Sequence, residues 1–278
     1  LRLDVGQDGN RAGLEIGVGE ERGNGDHQAR RGRDEGLGDA RGKLFGNTRT
    51  RSRHHAEDLD HADDGAEKAQ QRRTGNDCCE IREATLQDID AISRLVERVY
   101  PDMPPYPKDM LRAQVTAYPE GHLIALLNGE VAGYCASIRL PGERALVPHT
   151  WKEATGGGYG TTHDDAGDYL YGYEVCVDPA LRRYRVGQRF YQARRRLCRS
   201  QRLRGIVIVG RIPNYHRRAK LVSGPEEYVQ AVVSKRFRDP VLNFQLRQGY
   251  ELIGVLPGYL PLDKESMGNG VQLIWRNP

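Results

Sequence analysis

Hydrophobic positions recur with a regular period only from Glu80 onward. "EIREA", residues 80–84, alternates like a half-buried strand. Thr85-x-x-Asp88 has capping-box spacing, with a hydroxyl and a carboxylate placed to satisfy N–H groups at a helix start. Ile89, Ile92, Leu95, Val96 and Val99 then share one helical face. Prolines at 101, 104, 105 and 107 end that helix, and a second is predicted from Lys108 to about Tyr118. In "HLIALLNGEVAGYCASIRL", Asn128-Gly129 between two apolar runs predicts a two-residue hairpin. Residues 141–167 read as a long loop. Its "TGGGYG" has no strand before it and no helix after it, which fits a flexible linker better than a phosphate site. "DYLYGYEVCV", residues 168–177, is a strand, and "GIVIVG", residues 205–210, is a short continuous apolar run that fits a central strand. Between them Val186, Phe190, Ala193 and Leu197 mark the buried stripe of an amphipathic helix. Ser223, Pro225 and Glu226 open another helix through about Arg236, and a short one follows near 239–248. "YELIGVLP" and "VQLIWRN" are the last strands. The order β-α-α-β-β-β-α-β-α-α-β-β predicts one α/β domain over residues 80–278.

Residues 1–79 contrast with this. Up to residue 77 they contain one aromatic, Phe45, no proline and one serine, Ser52, and are rich in Gly, Arg, Asp and Glu. Such a segment buries too little apolar surface to offset the entropy of ordering it. Two readings stay open: a disordered tail, or a non-native stretch translated from upstream of the true start or in another frame. The second is suggested by the leading Leu1 and by Met103 as the first methionine. His54, His55 and His61 lack nearby cysteine partners, so no zinc site is expected there.

The net charge of the 278 residues is +4, too weak to imply a nucleic-acid partner. Five cysteines (Cys78, Cys79, Cys135, Cys176 and Cys198) show no metal-ligand spacing, which fits a reducing cytosol and predicts a cytoplasmic protein without a metal. No apolar run reaches the roughly 18 residues of a membrane span, so no membrane partner is expected.

The charge is concentrated in "DPALRRYRVGQRFYQARRRLCRS", residues 178–200, with eight arginines around Gly187. The stretch lies where a strand ends and a helix begins. A helix N-terminus offers unpaired N–H groups and the positive end of the macrodipole to an anion. Gly187, without a Cβ, would let a phosphate approach, whereas Arg189, Arg196 and Arg199 fall off the apolar stripe and should be solvated. A phosphate cradle is therefore preferred to a nucleic-acid patch.

These residues resemble the acetyl-CoA motif of the GNAT acetyltransferase superfamily: a strand, a proline, then Arg/Gln-x-x-Gly-x-Gly/Ala opening a helix. The second glycine is Gly187, and Arg185 replaces the first. "GRIPNYH", "YLPLDKES" and the terminal "WRNP" extend the likeness to the GNAT domain that precedes a carbon–nitrogen hydrolase (nitrilase-like) domain in bacterial fusion proteins, where arginine is usual at that place. The resemblance implies the GNAT fold, a mixed central sheet flanked by helices, over residues 80–278. It implies acetyl-CoA as co-substrate, held by backbone groups of Val175, Cys176 and Val177 and by Arg182, Arg183, Tyr184, Arg185, Val186, Gly187 and Gln188. It also implies direct attack by a small-molecule or protein amine on the thioester.

Such attack needs a base for the amine proton and an acid for the thiolate. Glu174, on the strand, is the candidate base, or alternatively a paired carboxylate. Relatives carry a tyrosine acid where this chain has Gln245; Tyr215 and His216 are substitutes by position, although His216 could be structural. Cys176 has no His/Asp arrangement to make it a nucleophile and reads as core. A second function stays open, an acyl-CoA-binding module that regulates a carbon–nitrogen hydrolase partner. A homodimer is compatible with either.

Overall fold

The computed structural model describes residues 79–278, except for the side chains of Arg182 and Arg183. Both readings of the N-terminal segment, and the His54, His55 and His61 cluster, lie outside the described residues.

β1 (Cys79–Glu83) runs through a single 3-10 turn into α1 (Ile89–Val99). The capping box forms at that turn: the Asp88 carboxylate accepts from the Thr85 N–H at 2.8 Å and also binds Arg82 at 2.8 Å. The prolines separate α1 from α2 (Lys108–Ala117). β2 (His122–Leu127) and β3 (Glu130–Leu140) form the hairpin, with Asn128 and Gly129 at φ 53° and 83°, as a two-residue turn requires. After α3 (Gly142–Ala145) and α4 (Trp151–Thr155) come β4 (Tyr169–Val177), α5 (Val186–Ser200) and β5 (Gly205–Gly210). Then α6 (Tyr215–Arg218), α7 (Pro225–Val233) and α8 (Pro240–Arg247) lead to β6 (Glu251–Leu256) and β7 (Gly270–Arg276).

The strands form one sheet in the order β1-β2-β3-β4-β5-β7-β6. β4 and β5 pair in parallel and every other pair is antiparallel, giving the mixed sheet. One face packs Tyr134, Ala136, Ile138 and Tyr171 with Ile92, Leu95 and Val96 of α1. The other packs Leu170, Ile206, Ile208 and Leu273 with Tyr191 of α5, Val229 of α7 and Leu242 of α8. Ile92 and Leu95 are fully buried, and burying a side chain of that size stabilises by about 1.5–3 kcal/mol.

Three local expectations change. Residues 141–167 contain α3 and α4, and the "TGGGYG" turn is fixed rather than free: the Gly158 carbonyl accepts from the buried Gln114 amide at 2.6 Å. α7 ends at Val233, short of Arg236. α6 was not legible, since one helical turn shows no period.

Candidate active site

Two irregularities in β4 create the site. The β3–β4 register shifts between Ala136 and Ser137, which pair with Glu174 and Gly172, so Tyr173 is an extra residue in a bulge. Side chains on a strand alternate faces, so residues two apart should share one. Here the missing side chain of Gly172 faces α5, while Glu174 turns to the α1–α2 side. Secondly, β4 pairs with β5 only from Tyr169 to Gly172, against Gly205 to Ile208. Beyond that point the two strands no longer hydrogen-bond, and Val175, Cys176 and Val177 lie on the parted segment.

Glu174 is only 8% exposed. Tyr100 donates to its Oε1 and Tyr106 to its Oε2, both at 2.8 Å. Both tyrosines belong to the proline-rich connection between α1 and α2. Burial pushes the Glu174 carboxyl above the usual carboxylate range, against the opposing effect of the two phenol hydrogen bonds. Burial first, then the neighbouring carboxylate, raises both phenols well above their ordinary value. A carboxylate so held is a proton acceptor with a proton affinity above that of an exposed glutamate.

A second chain of hydrogen bonds reaches β4 from the 141–167 segment. His149 Nδ1 lies 2.7 Å from the Val147 carbonyl, so that nitrogen carries the hydrogen. Its Nε2 accepts from Tyr171 at 2.7 Å, and Tyr171 lies 3.0 Å from the Tyr259 hydroxyl. Tyr106 also stacks on Trp151 with ring centroids 6.2 Å apart.

The segment after β4 is a 3-10 turn from Pro179 to Tyr184, holding Arg182 and Arg183. Asp178 starts it, accepting from the Ala180 N–H at 3.0 Å and pairing with Arg98 at 3.1 Å. Arg185 caps α5 in the left-handed region, φ 57°. Where the family motif has its first glycine, the backbone thus adopts a conformation that glycine favours. Gly187 has ordinary helical backbone. A Cβ there would stand 3.4 Å from the Phe244 ring, an ordinary contact, so packing within the protein does not demand glycine at this position. Val186 is buried, and Gln188 lines a surface depression of about 290 Å³ with Arg185, Arg189 and Gln192. A 15-residue helix opening beside this depression suits a phosphate group of an acyl-CoA. Gln245 is buried beside Gly210 on β5, with its side chain packed in the protein interior.

The hydrogen bonds to the Glu174 carboxylate come from Tyr100 and Tyr106, not from Tyr215 or His216. Tyr215 is buried with its ring 5.3 Å from that of Tyr228, centroid to centroid. His216 Nδ1 contacts the Pro213 and Glu265 carbonyls at 2.9 and 3.1 Å, a structural tie. Cys176 is 1% exposed and burial raises its thiol well above normal, so it is core. Sequence reasoning missed Tyr100 and Tyr106, which carry no spacing signal. It also missed Arg194, which is 1% exposed among arginines expected to be mostly solvated. The signal was available, since Arg194 follows Phe190 by four on the buried face.

Among the described residues, no group of three or more His, Cys, Asp or Glu side chains is placed to hold a metal ion, and no helix is long and apolar enough to cross a membrane.

Known proteins are similar to this chain in sequence and in fold. The profile of the acetyltransferase (GNAT) family matches residues 89–221. The chain is 39% identical over 197 residues to the probable hydrolase YhcX of Bacillus subtilis (strain 168), covering 71% of this chain and 38% of that protein. It is 35% identical over 203 residues to the uncharacterized N-acetyltransferase YkwB of the same organism, covering 71% of this chain and 88% of that protein. Among solved structures it is similar to GphF, a GNAT-like decarboxylase in complex with isobutyryl-CoA, at 30% identity and a TM-score of 0.61 over 72% of this chain and 100% of that one. The loading GNATL domain of CurA from Lyngbya majuscula shares the fold, with a TM-score of 0.62 and 20% identity over 72% of this chain and 98% of that one. Matched by the family profile over residues 89–221 and 35% identical to YkwB over 88% of its length, the chain belongs to the acetyltransferase (GNAT) family.

Proposed function

We propose that residues 80–278 form an N-acyltransferase domain that moves an acetyl group from acetyl-CoA to an amine by direct attack. The observation that carries this reading is the buried Glu174 carboxylate, held by two phenols on the strand that parts from its neighbour. The α5 N-terminus would hold the CoA phosphates, with Arg182 to Gln188 around them. The parted backbone of Val175 to Val177 would hold the pantetheine arm. The amine nitrogen attacks the thioester carbonyl, the C–S bond breaks, Glu174 takes the amine proton, and the thiolate leaves and is protonated as free CoA. Similarity to a protein in complex with isobutyryl-CoA supports an acyl-CoA in this cleft.

The test is thiol release from acetyl-CoA across an amine panel, with acylated amine identified by mass spectrometry. Amine-dependent release supports the reading, and failure to bind acetyl-CoA by calorimetry would overturn it. Carbon dioxide release from a carboxyacyl-CoA without any amine would instead place the chain with the decarboxylase neighbour.

A second reading is prompted by the 39% identity to a probable hydrolase, of which this chain spans 38%. In it the domain binds acyl-CoA without turnover and regulates a carbon–nitrogen hydrolase partner. Tight CoA binding with no turnover on any amine is the result that would favour it.

A further inference from the structure

Arg194 crosses from α5 into the bulge of β4. Its Nε donates to Ser137 Oγ at 2.9 Å, and one Nη donates to the Ala136 and Glu174 carbonyls, both at 2.7 Å. A Cβ on Gly172 would stand 2.6 Å from its guanidinium carbon, so only glycine leaves room. All these partners are neutral oxygens, and none of the ion pairs among the described residues includes Arg194. A buried guanidinium with no counter-ion is costly, and some other gain must hold it there.

The groups around Glu174 point to that gain. Tyr100 and Tyr106 donate to it and stay neutral. The thiols of Cys135 and Cys176 and the phenols of Tyr134, Tyr173 and Tyr259 are buried and pushed up, so they too are neutral. Two cations act on the carboxylate, Arg194 and Arg211. Arg211 is already engaged: it donates to both Asp263 oxygens at 2.6 Å and to Glu265 at 3.0 Å.

We propose that Arg194 is a positioning residue for Glu174: from the opposite face of β4 it holds the Glu174 peptide at the bulge and supplies the unneutralised positive charge that favours the ionised carboxylate. This rests on the reading of Glu174 as the acceptor of the amine proton. A cation behind the strand keeps the base ionised without blocking the side that an amine approaches.

The test is a carbon-13 NMR titration of the Glu174 carboxyl in the full chain, assigned by the signal lost in Glu174→Gln. In Arg194→Met the midpoint rises by about one pH unit or more, a tenfold change in proton affinity. Arg194→Gln, which keeps amide donors for the carbonyls, gives the same rise if Arg194→Met does not fold. Arg194→Lys keeps the charge and Ser137→Ala removes one hydrogen bond, so both shift the midpoint by less than about a third of a unit. Kinetically, Arg194→Met lowers kcat by about tenfold at pH values below the midpoint of the unmodified protein, with KM for acetyl-CoA within about threefold, and the loss shrinks as pH rises. An unmoved midpoint in a folded neutral variant, or an equal shift in Arg194→Lys, overturns the proposal. Absence of turnover in the unmodified protein would sink the acyltransferase reading instead, and the titration would still decide the role of Arg194.

Discussion

Gly172 and Glu174 stand two residues apart on one strand, yet they face opposite sides of the sheet. The extra residue Tyr173 resets the alternation. Without it Glu174 would point at α5, into the space that the Arg194 guanidinium fills. With it the carboxylate reaches Tyr100 and Tyr106, and Arg194 takes the vacated side. A one-residue register change thus places a base and a cation on opposite faces of the same peptide.

Replacing Glu174 with glutamine keeps the volume and an acceptor for the phenols but removes the base. Amine acylation should fall by about 10²–10⁴-fold, the usual contribution of a general base. Acetyl-CoA affinity by calorimetry should stay near its unmodified value. The folded protein should be no less stable near neutral pH, because a buried charge that raises its own proton affinity weakens the fold while ionised.

The pH profile should carry the same signature. Because burial lifts the Glu174 carboxyl above its ordinary value, kcat/KM should rise with pH through an apparent pKa above the normal carboxylate range. Tyr100→Phe or Tyr106→Phe removes a hydrogen bond that favours the ionised form, so each should move that limb to higher pH. Initial rates across pH with saturating acetyl-CoA check the direction.

Gly172→Ala should be strongly destabilising for its size. Its Cβ would meet the guanidinium carbon of Arg194 at 2.6 Å, and the arginine is tied by three hydrogen bonds and cannot step aside. A loss of about 1–3 kcal/mol is expected from such overpacking, read by denaturant unfolding.

Arg185→Gly tests the cradle. Arg185 holds φ 57°, a conformation that costs a side-chain-bearing residue about 1–2 kcal/mol relative to glycine. Thermal unfolding should shift upward. Acetyl-CoA affinity should weaken only through the lost charge, and that loss should fade with added salt.

Acid should weaken the fold before the carboxylates with ordinary proton affinity titrate. His122 is fully buried, with Nδ1 2.6 Å from the Tyr118 carbonyl and Nε2 accepting from Tyr173 at 2.8 Å. Burial holds its pKa down to about 4, against an ordinary 6.5. The unfolded chain therefore binds the proton first, and the His122 contribution is complete above 6.5 and lost as pH falls toward 4. The loss is of the order of 3 kcal/mol. A Tm measured across that window should decline less in His122→Gln, which keeps the polar contacts without the titration.

The elements were legible where periodicity ran long enough. The α1 face of Ile89, Ile92, Leu95 and Val96, the Asn128-Gly129 turn and the "GIVIVG" strand stand where the pattern put them. The helix after Gly187 was equally clear, because Val186, Phe190 and Ala193 bury as a stripe. α6 was not, and neither were α3 and α4, since a helix of one turn presents no repeat.

The site divides differently. Sequence alone determined the strand that carries Glu174 and the arginine-rich helix start after it, because local propensity and turn chemistry are written in neighbouring residues. Tertiary structure decided which face Glu174 presents, since the bulge depends on β3, about forty residues earlier in the chain. It also decided that Tyr100 and Tyr106 would meet that carboxylate, across sequence separations of 74 and 68. And it set Arg194 apart from its neighbouring arginines: composition counts eight alike, whereas helical phase and the absence of a side chain at Gly172 bury this one. Periodicity reports which residues share a face, but contacts between distant segments follow from strand register and packing, which no short stretch of sequence contains.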